Sequence, residues 1–350
     1  YRADVVRGEK KLAEKQGRKS GKGASVPEAE VAGSGALPAE QVTPDAQLSG
    51  KAAKKAEKKR KKAAKARGDE AVEPVTWSQV LRVGPGFSLA DLDPGSTPGF
   101  RGDKAAGEAV MGELQARTSD LQERLYAESK GGGGRSVLLV IQGMDTSGKG
   151  GIMRHVVGTI DPQGVRITGV KAPTDEEKSH DFLWRIRKAL PPAGIVGVFD
   201  RSHYEDVLIH RVRSFSTPEV IEERYGLIAE FERELGEAGT VVRKVMLHIS
   251  EDEQKARLLE RLERPEKHWK FNPGDIDERE HWDAYQEAYQ IALRRTSTPE
   301  SPWFVVPANR KWYARWAVHR ILLDTLRELD PQWPAADFDV AEQTARLLAT

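Results

Sequence analysis

The stretch from Ser136 to Lys149 constrains this 350-residue chain more than any other. Its first half, Ser136-Val-Leu-Leu-Val-Ile-Gln142, is short, apolar and rich in β-branched residues, as expected of a strand buried on both faces of a parallel sheet. Its second half, Gly143-Met-Asp-Thr-Ser-Gly148-Lys149, fits G-x-x-x-x-G-K, and a helix-like stretch follows at 152–160. A strand, a Gly-rich turn and a helix in that order make an anion cradle. Successive backbone N–H groups and the helix N-terminus wrap one phosphate while the lysine reaches its neighbour. The plainer alternative is a Gly-rich strand–helix turn with no ligand, and the flanks favour the phosphate reading. Gly143, Ser147, Gly148 and Gly150 are then the loop positions against the phosphate, with Lys149 as its cation.

One position departs from the rule. Gly150 stands where a Ser or Thr hydroxyl ordinarily touches Mg²⁺. Asp145, inside the turn, is the substitute ligand, since carboxylate oxygens suit that ion; a purely local turn-stabilising role is the alternative. A second acid, Asp200, closes the apolar run Ile195-Val-Gly-Val-Phe199. That places it at the carboxyl edge of a sheet, where open α/β folds bind ligands. Arg201 follows at once and could neutralise a transferring phosphoryl group; an Asp200–Arg201 ion pair at a strand end is the bland alternative.

Val241–Ile249 and Pro302–Pro307 read as further buried strands, and helical patterns cover 103–129, 175–189, 218–237, 251–264, 278–295 and 310–329. Strands alternating with helices predict a three-layer α/β fold with a central parallel sheet. Within the helical stretch at 251–264, Arg257, Arg261 and Arg264 recur on one face, and Lys267 and Lys270 extend the basic run past Pro265. A mobile lid over a polyanion would carry such cations. So would a solvated charged helix, because Glu260, Glu263 and Glu266 interleave with them.

The N-terminal stretch is of another kind. Residues 1–73 contain no Trp and no Phe, and 51–67 hold ten Lys/Arg against one acid, Glu57. Such a segment cannot bury enough apolar surface to offset its ordering entropy. The expected division is a disordered basic tail over 1–74, a catalytic domain over 75–335 and a short C-terminal tail over 336–350. The net charge of +1 therefore conceals a roughly neutral or slightly acidic folded part, which would need a local basic channel to hold a polyanion. The chain has no cysteine, which excludes disulfides, thiolate metal sites and cysteine nucleophiles. No apolar run reaches transmembrane length, so a cytoplasmic soluble protein is the expectation.

Taken together and in order, Gln142–Gly150, His180-Asp-Phe-Leu-Trp-Arg185, Phe199-Asp-Arg-Ser-His-Tyr-Glu-Asp206, Arg264-Pro-Glu-Lys-His-Trp-Lys-Phe271 and Pro302–Trp312 resemble the signature blocks of the family-2 polyphosphate kinases. The resemblance spans roughly 80–330 and leaves out the basic tail. It implies a P-loop kinase-like fold with a helical lid, and Mg²⁺-dependent transfer of a terminal phosphoryl group between inorganic polyphosphate and a nucleotide. Carried over by position, Asp145 and Asp200 would hold Mg²⁺, and Lys149 and Arg201 would bind the transferring phosphates. Arg261, Arg264, Lys267 and Lys270 would track the polyphosphate, and Lys171, Asp181 and Arg185 would lie near the acceptor nucleotide. The ending His203-Tyr-Glu-Asp206 resembles the subgroup accepting both AMP and ADP, with guanine nucleotides left open as alternatives to adenine. A homo-oligomer with no specific nucleic-acid partner is the further expectation. Two rivals stand beside this reading. One is an ATP-dependent nucleotide kinase of the same fold. The other is an inactive protein binding polyanions through its basic tail.

Overall fold

The computed structural model describes residues 77–350. The stretch expected to form a basic tail lies outside the described residues. From Lys104 the chain runs through α1 (Lys104–Lys130), β1 (Ser136–Gln142), α2 (Lys149–His155), β2 (Val165–Gly169), α3 (Asp175–Lys178), α4 (Trp184–Ala189) and β3 (Val196–Asp200). It continues through α5 (Ile209–Val212), α6 (Pro218–Glu237), β4 (Thr240–His248), α7 (Glu251–Glu263) and α8 (Gly274–Arg279). The last elements are α9 (Trp282–Thr296), β5 (Trp303–Pro307), α10 (Lys311–Leu329) and α11 (Val340–Leu348).

The five strands form one parallel sheet in the order β2-β3-β1-β4-β5. Every residue of β1 is buried, as its uninterrupted apolar run requires. Alternate β1 side chains feed two cores. Val137, Leu139 and Ile141 pack with α1, α2 and α10, while Leu138 and Val140 pack with α4, α6 and α9. The three-layer α/β architecture expected from the strand–helix alternation is therefore present. The chain leaves β1 toward β3 and β2 and later returns on its other side to β4 and β5. That reversal opens the crevice at the carboxyl ends of the strands. Pairing of Ile141 with Asp200 and of Gln142 with Met246 brings the ends of β1, β3 and β4 level there.

Several differences from the sequence expectation have local causes. β2 went unrecognised because it is an edge strand, exposed or half-exposed throughout, so it needs no apolar run. The helix expected over 175–189 is broken between Lys178 and Trp184, where the Asp181 carboxylate accepts from the Leu183 N–H at 3.0 Å in a competing local turn. α7 ends at Glu263, because Pro265 forces Arg264 into an extended conformation at φ −110, ψ 107. The C-terminal stretch over 336–350 carries α11, whose Asp339 caps the Ala341 and Glu342 N–H groups and which buries none of its residues. No helix of the described residues is long and apolar enough to cross a membrane.

Candidate active site at the carboxyl edge of the sheet

β1 delivers the chain into a loop whose backbone is bent in ways that only certain residues tolerate. Gly143 sits at φ 149, and a Cβ there would meet Ser147 Oγ at 2.7 Å and the Leu247 carbonyl oxygen at 2.8 Å. Gly148, at φ 114, turns the chain into α2. Between them Thr146 holds a left-handed φ of 64 without being glycine, and Arg201 does the same at the end of β3. Such conformations cost free energy and persist where the surrounding structure over-determines them, most often at functional sites. Both lie beside Asp145, Thr146 as its chain neighbour and Arg201 as its hydrogen-bond donor.

The charged groups assemble around these bends. Arg201 Nη2 donates to Asp145 Oδ1 at 2.9 Å, and its Nη1 lies 3.5 Å from Glu205. Burial pushes the Asp145 carboxyl up, but the charges of Lys149, Arg201 and Arg261 outweigh it and hold the group below its ordinary value. Burial pulls the Lys149 ammonium down against the attraction of Asp145. Its Nζ donates to the Gly143 carbonyl at 2.7 Å and the Met144 carbonyl at 3.3 Å. Burial raises Glu205 despite Arg201 and Lys149, so one carboxylate in the crevice is held low and its neighbour high.

Asp145 and Asp200 line one cavity of about 430 Å³ together with Ser147, Gly148, Lys149 and Gly150. The wall opposite comes from α7 and the turn after it, through Arg261, Lys267 and Lys270, and from the first turns of α10, through Lys311 and Arg315. In all, eight Lys/Arg and three carboxylates line the space, which makes it a site for an anion of several charges. The Thr146 and Ser147 hydroxyl oxygens are buried and without a hydrogen-bond partner. With two carboxylates beside them, the donor set fits a hard divalent cation that takes its remaining ligands from phosphate and water. No group of three His or acidic residues suited to a metal occurs among the described residues, so a protein-only cage is not what is built.

The expected site residues divide into three groups. Asp145, Ser147, Gly148, Lys149, Gly150, Asp200, Arg261, Lys267 and Lys270 meet at the cavity, with Gly143 under the loop and Arg201 behind Asp145. Arg264 does not join them. It stands outside α7, half-exposed, paired with Glu260 and Glu266. Lys171 and Arg185 meet beside the end of β3, where Arg185 donates to the Lys171 carbonyl at 2.7 Å and reaches Asp206 at 3.4 Å, while the Asp181 carboxylate accepts from the Leu183 N–H. They do not line the cavity, although the Val170 N–H donates to the Asp200 carbonyl and so ties the two places together. Sequence reasoning missed Arg154 and His155 on α2 and Lys311 and Arg315 on α10, all of which line the cavity. The four-residue spacing of Lys311 and Arg315 was a signal, but charges on a helix read by default as a solvated face.

Comparison with known proteins agrees with this geometry. The family model described as Polyphosphate kinase 2 matches residues 101–334. An AMP/ADP-polyphosphate phosphotransferase of Meiothermus ruber is 47% identical over 248 residues, covering 71% of this chain and 91% of that protein. An ADP-polyphosphate phosphotransferase of Rhodopseudomonas palustris is 41% identical over 234 residues, covering 62% and 78%. The crystal structure of polyphosphate kinase 2 from Arthrobacter aurescens TC1 superposes with a TM-score of 0.77 at 57% identity, covering 79% of this chain and 97% of that one.

Proposed function

The chain belongs to the polyphosphate kinase 2 family, and from that premise we propose how its own residues carry out the reaction. The enzyme moves phosphoryl groups between inorganic polyphosphate and nucleotides. Both AMP and ADP serve as acceptors in this reading, as the name of the Meiothermus ruber relative states for that protein. The observation that carries the reading is the cationic lining that continues past Lys149 along α2 and α10 through Arg154, Lys311 and Arg315. One bound phosphate would not need it; a chain of phosphates would.

The P-loop N–H groups and Lys149 hold the terminal phosphates of the chain. Arg261, Lys267 and Lys270 close over them from the lid side. A nucleotide phosphate oxygen, already anionic near neutral pH, attacks the terminal phosphorus in line. The P–O–P bond to the rest of the chain breaks, and its electron pair leaves on a polyphosphate shorter by one unit. Positioning and charge neutralisation supply the rate, and no strong general base is needed. The family's divalent metal, here Mg²⁺ held by Asp145 and Asp200, would neutralise charge on the phosphoryl oxygens when bound. Lys149 and Arg201 keep Asp145 ionised, and the Arg201 Nη2 hydrogen bond holds the carboxylate in place. In this reading the acceptor nucleotide binds near Lys171, Asp181 and Arg185.

The test is turnover of defined-length polyphosphate with ADP or AMP, Mg²⁺ and no ATP. Formation of ATP or ADP with matching loss of chain length is expected. Phosphorylation of a nucleotide only when ATP is supplied would instead favour the nucleotide-kinase rival.

A further inference from the structure

Three arginines were expected to share one cationic face of α7, and the structure gives one of them a different task. Arg257 is only 6% exposed. Its Nε donates to Glu253 at 2.7 Å, Nη1 to the carbonyls of Thr146 at 2.8 Å and Ser147 at 3.0 Å, and Nη2 to those of Ala308 at 2.6 Å and Asn309 at 3.1 Å. A guanidinium has five N–H donors, and here five acceptors take them, leaving none for a bound phosphate. One turn earlier, Gln254, 2% exposed, donates from Nε2 to the Asp145 carbonyl at 3.1 Å. Its own Oε1 accepts from Arg279 of α8 at 2.8 Å, which fixes the amide orientation. Three successive P-loop carbonyls, those of residues 145, 146 and 147, are thus gripped by side chains of one helix.

The peptide group is rigid, so a carbonyl pinned toward α7 turns the following N–H away from it. The carbonyls of 145–147 govern the N–H groups of Thr146, Ser147 and Gly148, in the turn that begins the anion cradle. The left-handed φ of 64 at Thr146 belongs to the same turn, and the clamp is what over-determines it. Arg257 also reaches the backbone at the end of β5, so the helix, the loop and the sheet edge are locked to one another. Arg261, one turn further along α7, enters the cavity. The position of α7 and the shape of the phosphate cradle are therefore tied to each other.

We propose that Arg257 and Gln254 are positioning residues for phosphoryl transfer: they act on the P-loop backbone rather than on the substrate, and hold the cradle in shape from α7. The proposal rests on the functional reading above and specifies how the phosphate cradle is held.

The experiment compares Arg257→Lys, Arg257→Ala and Gln254→Leu with the wild type in steady-state kinetics on polyphosphate and ADP, with melting temperatures measured alongside. Lysine keeps the charge but cannot span carbonyls on two elements, so Arg257→Lys should lower kcat roughly 10²-fold, the cost of a small misplacement of reacting groups. KM for ADP should stay within about twofold, since uniform substrate binding is untouched. Gln254→Leu should show the same pattern at about 10-fold, because it removes the one hydrogen bond that this side chain makes to the P-loop. Added guanidinium should restore part of the Arg257→Ala activity, which a general loss of fold would not permit. Arg257→Lys with normal kcat and a raised KM for polyphosphate would assign Arg257 to substrate charge and overturn the proposal. So would a loss of kcat that follows melting temperature alone, with no guanidinium rescue. A wild-type protein that does not turn over polyphosphate would overturn the functional reading, and this inference with it.

Discussion

Two polar regions lie close together in this molecule and treat their charges in opposite ways. Behind Arg201, the chain dips into a sealed knot. Lys244 is wholly buried, contacts Glu232 and donates to the Thr296 carbonyl at 2.6 Å. His203 Nε2 lies 3.3 Å from Glu232, and Tyr204 Oη is 2.9 Å from both Glu232 and Thr296 Oγ1. Each charge there is met by its opposite. In the cavity, by contrast, Arg154, Lys270 and Arg315 have no carboxylate within salt-bridge distance among the described residues, and Lys149 donates only to the Gly143 and Met144 carbonyls, which a bound phosphate can replace. Desolvating a charge without a partner is expensive, so a fold leaves cations open only where solvent or a ligand will pair them. The knot takes in His203 and Tyr204, just past Arg201, and the cavity is the place proposed for the substrate.

The strongest challenge to this contrast is Lys149→Ala. It should lower kcat by about 10³-fold, the scale of losing one preorganised charge at a transition state, while the melting temperature stays within a few degrees. Near-normal turnover would mean that the open cations are not the reacting ones. In the knot the effect should be on stability instead. Lys244→Met leaves the buried Glu232 carboxylate uncompensated and should cost about 3–5 kcal/mol in denaturant unfolding, whereas Lys244→Met with Glu232→Leu should recover most of it. A single variant as stable as the wild type would show that the pair is not what balances the buried charge. The smallest expected effect separates the regions without mutation. Raising ionic strength from about 0.05 to about 0.5 M should raise KM for polyphosphate several-fold, because open charges are screened, and leave the unfolding midpoint nearly unchanged. A KM insensitive to salt would count against a cationic track.

Legibility from sequence followed the same divide. The P-loop, the Asp200-Arg201 strand end and the α6 boundaries could be read directly, because each depends on neighbours within a few residues. Thr217 caps α6 and Pro218 opens it, and both are visible in the chain. Arg257, Arg261 and Arg264 looked alike by spacing. One grips the P-loop, one enters the cavity and one pairs with Glu260 and Glu266 outside it. Lys244 and Glu232 carried no signal at all. Lys244 lies in a strand whose buried positions are otherwise apolar up to His248 at its end, and its partner is on a different element.

What the sequence determined alone is the strand, the glycine turn and the lysine that begins α2. It also determined the acid closing β3 and the alternation that builds a parallel sheet. All of these are set by backbone conformation and by apolar runs of short range. The tertiary structure decided which cations are spent on carbonyls and which stay open, and that α2 and α10 extend the cavity past the loop. It also decided that β2 completes the sheet edge. Those outcomes rest on partners more than a hundred residues apart, as between Arg257 and Thr146, and on burial, which no local pattern specifies.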